Sequence, residues 1–299
     1  MNISFSTLAC PGWSWLELLK HAAAFGYGGI EIRMLQGDVD LLRAPEFQNP
    51  ALPKSKRELA DAGLQICGLA SSVRFDSPDA NQRRAQLHEG RAYLCLAQEL
   101  GARFVRVFGD TLPPEPATRR LTFGQIAEGL RTLGDDAAQC GVDLLLETHG
   151  DFADSRLAES LMRAVDHPQV GILWDTHHPW RFFGESLAET WTRLKPWVRH
   201  THWKDSVKPR MLPHTAATAA AEEQARALMS GHRPADYVLF GEGEFPIGEC
   251  LRLLEEAGYD GWYSLEWEKA WHPEIADPEI ALPPFPRQLR AWSGHAAQA

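Results

Sequence analysis

Nowhere in its 299 residues does the sequence offer an apolar run near the ~20 residues that a bilayer-spanning helix needs. The opening residues, Met1-Asn2-Ile3-Ser4-Phe5, also lack the basic-then-apolar order of a secretory signal. Both absences lead to the expectation of a cytoplasmic protein with no membrane partner. A basic stripe is missing too. Thirty Lys and Arg stand against 40 Asp and Glu, a formal charge of −10 spread along the chain, which argues against a nucleic-acid surface. The five cysteines are odd in number and irregularly spaced, so they read as free thiols in a reducing compartment, not as a disulfide or zinc framework. Finally, Thr7-Leu8-Ala9-Cys10-Pro11-Gly12 is no glycine-rich phosphate turn, which weighs against an open, doubly wound sheet.

What the chain does have is alternation. Short apolar runs that read as strands are separated by stretches with helical periodicity at 13–25, 54–62, 82–100, 121–140, 155–165, 187–194, 247–257 and 275–292. Glycines 63, 101, 141 and 258 follow several of these stretches as stop signals, and Ser14 is a fair N-cap for the first. Eight strand–helix units in one chain predict an α/β fold, a (β/α)8 TIM barrel forming a single domain over residues 1–299. Two connections are long, 34–52 and 206–245. The second follows the seventh strand and holds an alanine-rich helical stretch. Loops after barrel strands lie on the catalytic face, so 206–245 is a candidate lid or substrate wall, with an oligomer contact as the alternative.

Four runs end in potential metal ligands: Val142-Asp143-Leu144-Leu145-Leu146-Glu147, Val170-Gly171-Ile172-Leu173-Trp174-Asp175, Val198-Arg199-His200-Thr201-His202 and Gly261-Trp262-Tyr263-Ser264-Leu265-Glu266. Strand ends converge on one mouth of a barrel, so Glu147, Asp175, His202 and Glu266 can share one divalent cation. A carboxylate majority with no thiolate suits Mn²⁺, Mg²⁺, Co²⁺ or Zn²⁺.

These endings lie in longer motifs: Leu146-Glu147-Thr148-His149-Gly150, Asp175-Thr176-His177-His178, His200-Thr201-His202-Trp203-Lys204-Asp205, Gly241-Glu242-Gly243-Glu244 and Ser264-Leu265-Glu266-Trp267-Glu268. Over most of its length the chain resembles the xylose isomerase-like superfamily of sugar phosphate isomerases and epimerases. The resemblance implies one bound divalent ion, often manganese, held by Glu147, Asp175, His202 and Glu266. It also implies that Glu147 and Glu266 face two sides of the substrate as catalytic proton-transfer groups. The activity expected is isomerisation or epimerisation of a sugar, sugar phosphate or polyol-derived ketone through a metal-stabilised enediolate. An inosose- or dehydroshikimate-type dehydratase would use the same metal and carboxylates, and a non-catalytic sugar-binding protein is the remaining alternative. Epimerase-like members carry a further acid soon after the first glutamate; Asp151-Phe152-Ala153-Asp154 does not present one in register, which keeps the dehydratase reading open.

Other candidate substrate contacts are His178, ahead of His177, together with His149, Lys204, Glu31 and Glu244. Second-shell hydrogen bonding accounts equally for the histidines. Ion pairs, of Glu31 with Arg33 and of Lys204 with Asp205 or Glu244, account equally for the charged groups. His200 reads as a group supporting His202, and Lys208 and Arg210 as a solvated loop. Trp13, Trp174, Trp203 and Trp267 lie near strand ends, where they would stack on a sugar or simply fill the core. The expected partner is a small carbohydrate or polyol, and a homodimer is the default assembly for such a barrel.

Overall fold

Alternation with a period of two decides which residues of a strand face inward. In a computed structural model describing residues 1–208 and 215–296, eight parallel strands close into a barrel. Seven come first: β1 (Asn2–Ser6), β2 (Gly29–Ile32), β3 (Gln65–Arg74), β4 (Phe104–Phe108), β5 (Asp143–Glu147), β6 (Val170–Asp175) and β7 (Val198–Trp203). A small antiparallel hairpin, β8 (Asp205–Val207) with β9 (Asp236–Val238), precedes the closing strand β10 (Trp262–Leu265). Around the barrel β7 pairs with β10, and β10 pairs back onto β1. The chain is thus a single-domain (β/α)8 barrel, as the alternation predicts.

Outward-facing residues such as Ile3, Phe5, Ile30, Val105, Leu144, Leu146 and Trp174 join the main core beneath the helices. Inside, Phe104, Leu145 and Leu173 form a separate apolar plug. The Phe104 ring fits only because residue 68 is glycine: a Cβ there would stand 2.1 Å from the ring. One step further along the strands the inward positions turn polar. Arg106, Glu147, Asp175 and His202 succeed Phe104, Leu145, Leu173 and His200, and all are buried. That step places charge at the C-terminal mouth, where barrel enzymes work.

Several boundaries differ from the periodicity. The predicted helix at 121–140 begins earlier, at Pro116, because the Glu115 carboxylate accepts from the backbone of Ala117 and Thr118 and proline suits the first turn. The predicted closing helix splits into Pro278–Ala281 and Pro284–Ala296, since Pro283 and Pro284 supply no N–H across the break. A helix His177–Phe183 directly after β6 and the β8–β9 hairpin carry too few residues to show a period. Arg210 lies outside the described residues. The five cysteines are free, and among the described residues no helix is long and apolar enough to cross a membrane.

Helix Trp15–Phe25 begins in a capping box: Ser14 accepts from the Glu17 amide, and the Glu17 carboxylate accepts from the Ser14 amide. Ser14→Ala is expected to cost about 1 kcal/mol. It would appear as a lower urea midpoint with an unchanged slope. An unshifted midpoint would show that the cap contributes nothing.

Candidate metal centre and active site

Because β5, β6, β7 and β10 end at one mouth, ligand atoms of Glu147, Asp175, His202 and Glu266 all lie within 4.8 Å of one another. His202 Nδ1 is 3.6 Å from Glu147 Oε1 and 3.3 Å from Glu266 Oε2. All four residues are buried, and neither Glu147 Oε2 nor His202 Nδ1 has a hydrogen-bond partner. Burial, followed by the opposing charge of Lys204 and the like charges of Glu266 and Glu147, leaves the Asp175 carboxyl pushed up to about 6. Unpartnered donor atoms and crowded carboxylates fit a divalent cation, which would relieve both.

His202 is aimed from below. Its Nε2 lies 2.9 Å from each oxygen of Glu31, which also receives His200 Nε2 at 2.9 Å and the Ser264 hydroxyl at 3.0 Å. Burial raises the Glu31 carboxyl, but His202 and His200 outweigh it and hold the group below its ordinary value. Glu31 is therefore ionised and saturated on the barrel axis, with no exposed surface. This corrects the expectation that it touches substrate or pairs with Arg33.

Lys204 is more central than its place after β7 implied. Its ammonium is fully buried, 2.8 Å from Asp175 Oδ2, 2.7 Å from Glu268 Oε1, 3.3 Å from His178 Nε2 and in short contact with Glu266. Burial would lower it, yet Asp175, Glu266 and Glu268 raise it well above the usual lysine range. It pairs with none of the partners the sequence offered, Asp205 or Glu244. Asp205 instead gathers the backbone N–H groups of Gly241, Gly243 and Phe245, which explains the Gly-Glu-Gly-Glu motif as a loop wrapped round a carboxylate. Glu244 is exposed and bound to Arg181, and it does not line the cavity with Glu147 and Glu266.

His149 and His178 both line a small cavity of about 10 Å³ above the cluster, with Glu147 and Glu266. His178 Nδ1 donates to the Thr148 carbonyl, and burial holds the ring neutral. His177 turns aside to Ser206. His149 Nδ1 meets Asp110 Oδ1 at 3.1 Å; burial pulls the imidazolium down, but Asp110 outweighs it and leaves the group raised. Asp110 is itself held by Arg74 and by the Ser230 amide. The cavity is roofed from the long connection: Met229 and His232 line it, and helix Ala216–Leu228 precedes them. There the chain comes so close to the β5 loop that a Cβ on Gly231 would lie 2.4 Å from Gly150 Cα.

A model of the family described as xylose isomerase-like TIM barrel matches residues 19–283. The chain belongs to that family. Among curated proteins of this barrel family, inosose dehydratase from Klebsiella pneumoniae subsp. pneumoniae is 24% identical over 249 residues, 77% of either chain. Among solved structures, the probable 3-DHS dehydratase AsbF from Bacillus anthracis is 20% identical at a TM-score of 0.74, covering 97% of this chain and 99% of its own. The 3-keto-D-glucoside 4-epimerase YcjR from E. coli is 18% identical at 0.71, covering 97% and 99%. The structural likenesses show the shared fold.

Sequence reasoning missed Arg106, Asp110, Glu268, His232 and Trp271 as neighbours of this site. Arg106 had a legible signal, a charge at an inward position of an apolar strand. Trp271 and His232 had none, since loops bring them in. Trp174, Trp203 and Trp267 belong to the core. Outer partners of ligating histidines tune metal sites. Glu31→Gln is therefore expected to weaken Mn²⁺ binding about 10- to 100-fold. Titration followed by electron paramagnetic resonance reads this directly, and unchanged affinity would remove Glu31 from that role.

Proposed function

We propose that the chain is a divalent-metal-dependent lyase that removes water from a polyhydroxylated ketone. The observation that carries this reading is the Asp110–His149 pair beside Glu147 at the mouth. Glu147, Asp175, His202 and Glu266 would hold the ion, which supplies Lewis-acid polarisation of the ketone. Glu147 takes the proton from the carbon next to the carbonyl. His149, just past the end of β5 and lining the same cavity as Glu147, donates a proton from Nε2 to the hydroxyl leaving the next carbon. A C–H and a C–O bond break, a C=C bond forms, and water departs. Asp110 keeps the His149 ring oriented by accepting from Nδ1. Lys204 holds the Asp175, Glu266 and Glu268 side chains in place through its ammonium. The inosose dehydratase and 3-DHS dehydratase among the similar proteins support the class.

A second reading is an isomerase or epimerase of a sugar or polyol-derived ketone. It is favoured by Glu266, which reaches the cavity from β10 as Glu147 does from β5 and would return a proton to the opposite face. Proton NMR in D2O separates the two, using the Mg²⁺-loaded protein with inososes, ketoses and ketose phosphates. Enone formation is the expected outcome; an epimer or aldose without enone overturns the lyase reading in favour of the second.

Two variants sharpen the assignment. Glu147→Gln is expected to abolish both exchange of the C–H next to the carbonyl and loss of water. His149→Gln is expected to keep that exchange while slowing water loss by roughly 10²–10⁴-fold, the usual worth of a positioned acid. Full elimination in His149→Gln would end the proposed role.

A further inference from the structure

Two arginines at the mouth take no part in the chemistry above. Arg33 follows β2 and Arg106 lies on β4; each is 1% exposed, and both line the cavity with Glu147 and His149. A buried guanidinium is costly unless a counter-charge and hydrogen bonds compensate. Arg33 donates only to neutral groups, the Ala70 carbonyl at 3.3 Å and the Ser72 hydroxyl at 3.0 Å, and no carboxylate pairs with it among the described residues. Arg106 Nε stands 3.2 Å from Glu147 Oε2, but Nε and Nη1 are buried without a hydrogen-bond partner. Its guanidinium is stacked over Phe108, 3.9 Å from the ring centroid, which fixes the plane of the fork. Burial and then the charge of Arg106 pull the Arg33 guanidinium down to about 10, the mark of two neighbouring cations short of an anion.

We propose that Arg33 and Arg106 form an anion subsite beside the metal cluster, and that the substrate carries a carboxylate that this subsite receives. This rests on the reading of the site as one for polyol-derived ketones. The barrel order carries the orientation: the arginines come from the β2–β4 side, next to Glu147 on β5, whereas Asp175, His202 and Glu266 come from β6, β7 and β10. The charge favours a carboxylate over a phosphate ester. Arg106 already faces Glu147, so one uncompensated positive charge calls for one negative charge, presented as a planar group that a guanidinium fork matches.

The test is calorimetric titration of the full-length, Mg²⁺-loaded protein with four probes: quinate, its carboxamide, myo-inositol and an inositol monophosphate. Quinate is expected to bind at least tenfold more tightly than the carboxamide, and this ratio is expected to fall to about one in Arg33→Met. Methionine suits the buried site, so the variant's thermal midpoint should not fall, and quinate should raise the midpoint of the parent alone. Arg33→Gln, read by the same ratio, serves if the methionine variant does not fold. Equal binding of acid and amide by the parent overturns the subsite, as does a ratio that survives in the variant. Tighter binding of an inositol monophosphate than of quinate overturns the carboxylate assignment. If myo-inositol binds in either of these cases, the polyol reading stands by itself. If none of the probes binds to protein with its metal in place, the polyol reading falls and takes this inference with it.

Discussion

Glu31 receives three side chains from strands on the other side of β1: His200 and His202 from β7, and Ser264 from β10. No water reaches it, so its charge is neutralised only by these donors. With Nε2 of His202 engaged below, Nδ1 is left pointing at Glu147 and Glu266. The aim of His202 at the mouth therefore follows from one carboxylate directly beneath it. Strand register makes this possible: His202 lies level with Asp175 on β6 and Ser264 on β10.

Above that anchor the problem is repulsion. Glu147, Asp175, Glu266 and Glu268 are all buried, and carboxylates this crowded do not stay ionised without cations among them. Lys204 meets three of the four, and Arg106 faces the other. The two cations divide the anions between opposite walls and leave the centre, where Nδ1 of His202 points, for a metal ion. Protein charges thus hold the shape of the site around a place that fits a divalent ion.

The roof depends on different physics. Met229 packs with Leu8, Met34, Phe108, Ala225 and Trp271 into an apolar cluster of its own over the mouth. Asp110 ties that cover down through the Ser230 amide while also orienting His149. The same carboxylate thus couples the cover of the cavity to the placement of the His149 ring. A short approach between Gly231 and Gly150 leaves no room for a side chain at that seam.

The strands, the helices at 155–165 and 187–194, and the four strand-end residues that meet at the mouth were legible in the chain itself. Each of these is a local matter, a run of apolar residues or a helical period followed by a charge. Helix His177–Phe183 and hairpin β8–β9 were not legible, because elements of seven residues or fewer show little periodicity. The partners of the charges were not legible either. Glu31 sits two residues from Arg33 yet bonds to His202, 171 positions away, and Lys204 ignores adjacent Asp205 for Glu268, 64 positions away. Sequence alone determined which residues point inward, since a strand's period of two is a property of its own backbone. Only barrel closure decided which inward residues meet, because that depends on the relative register of strands far apart in the chain.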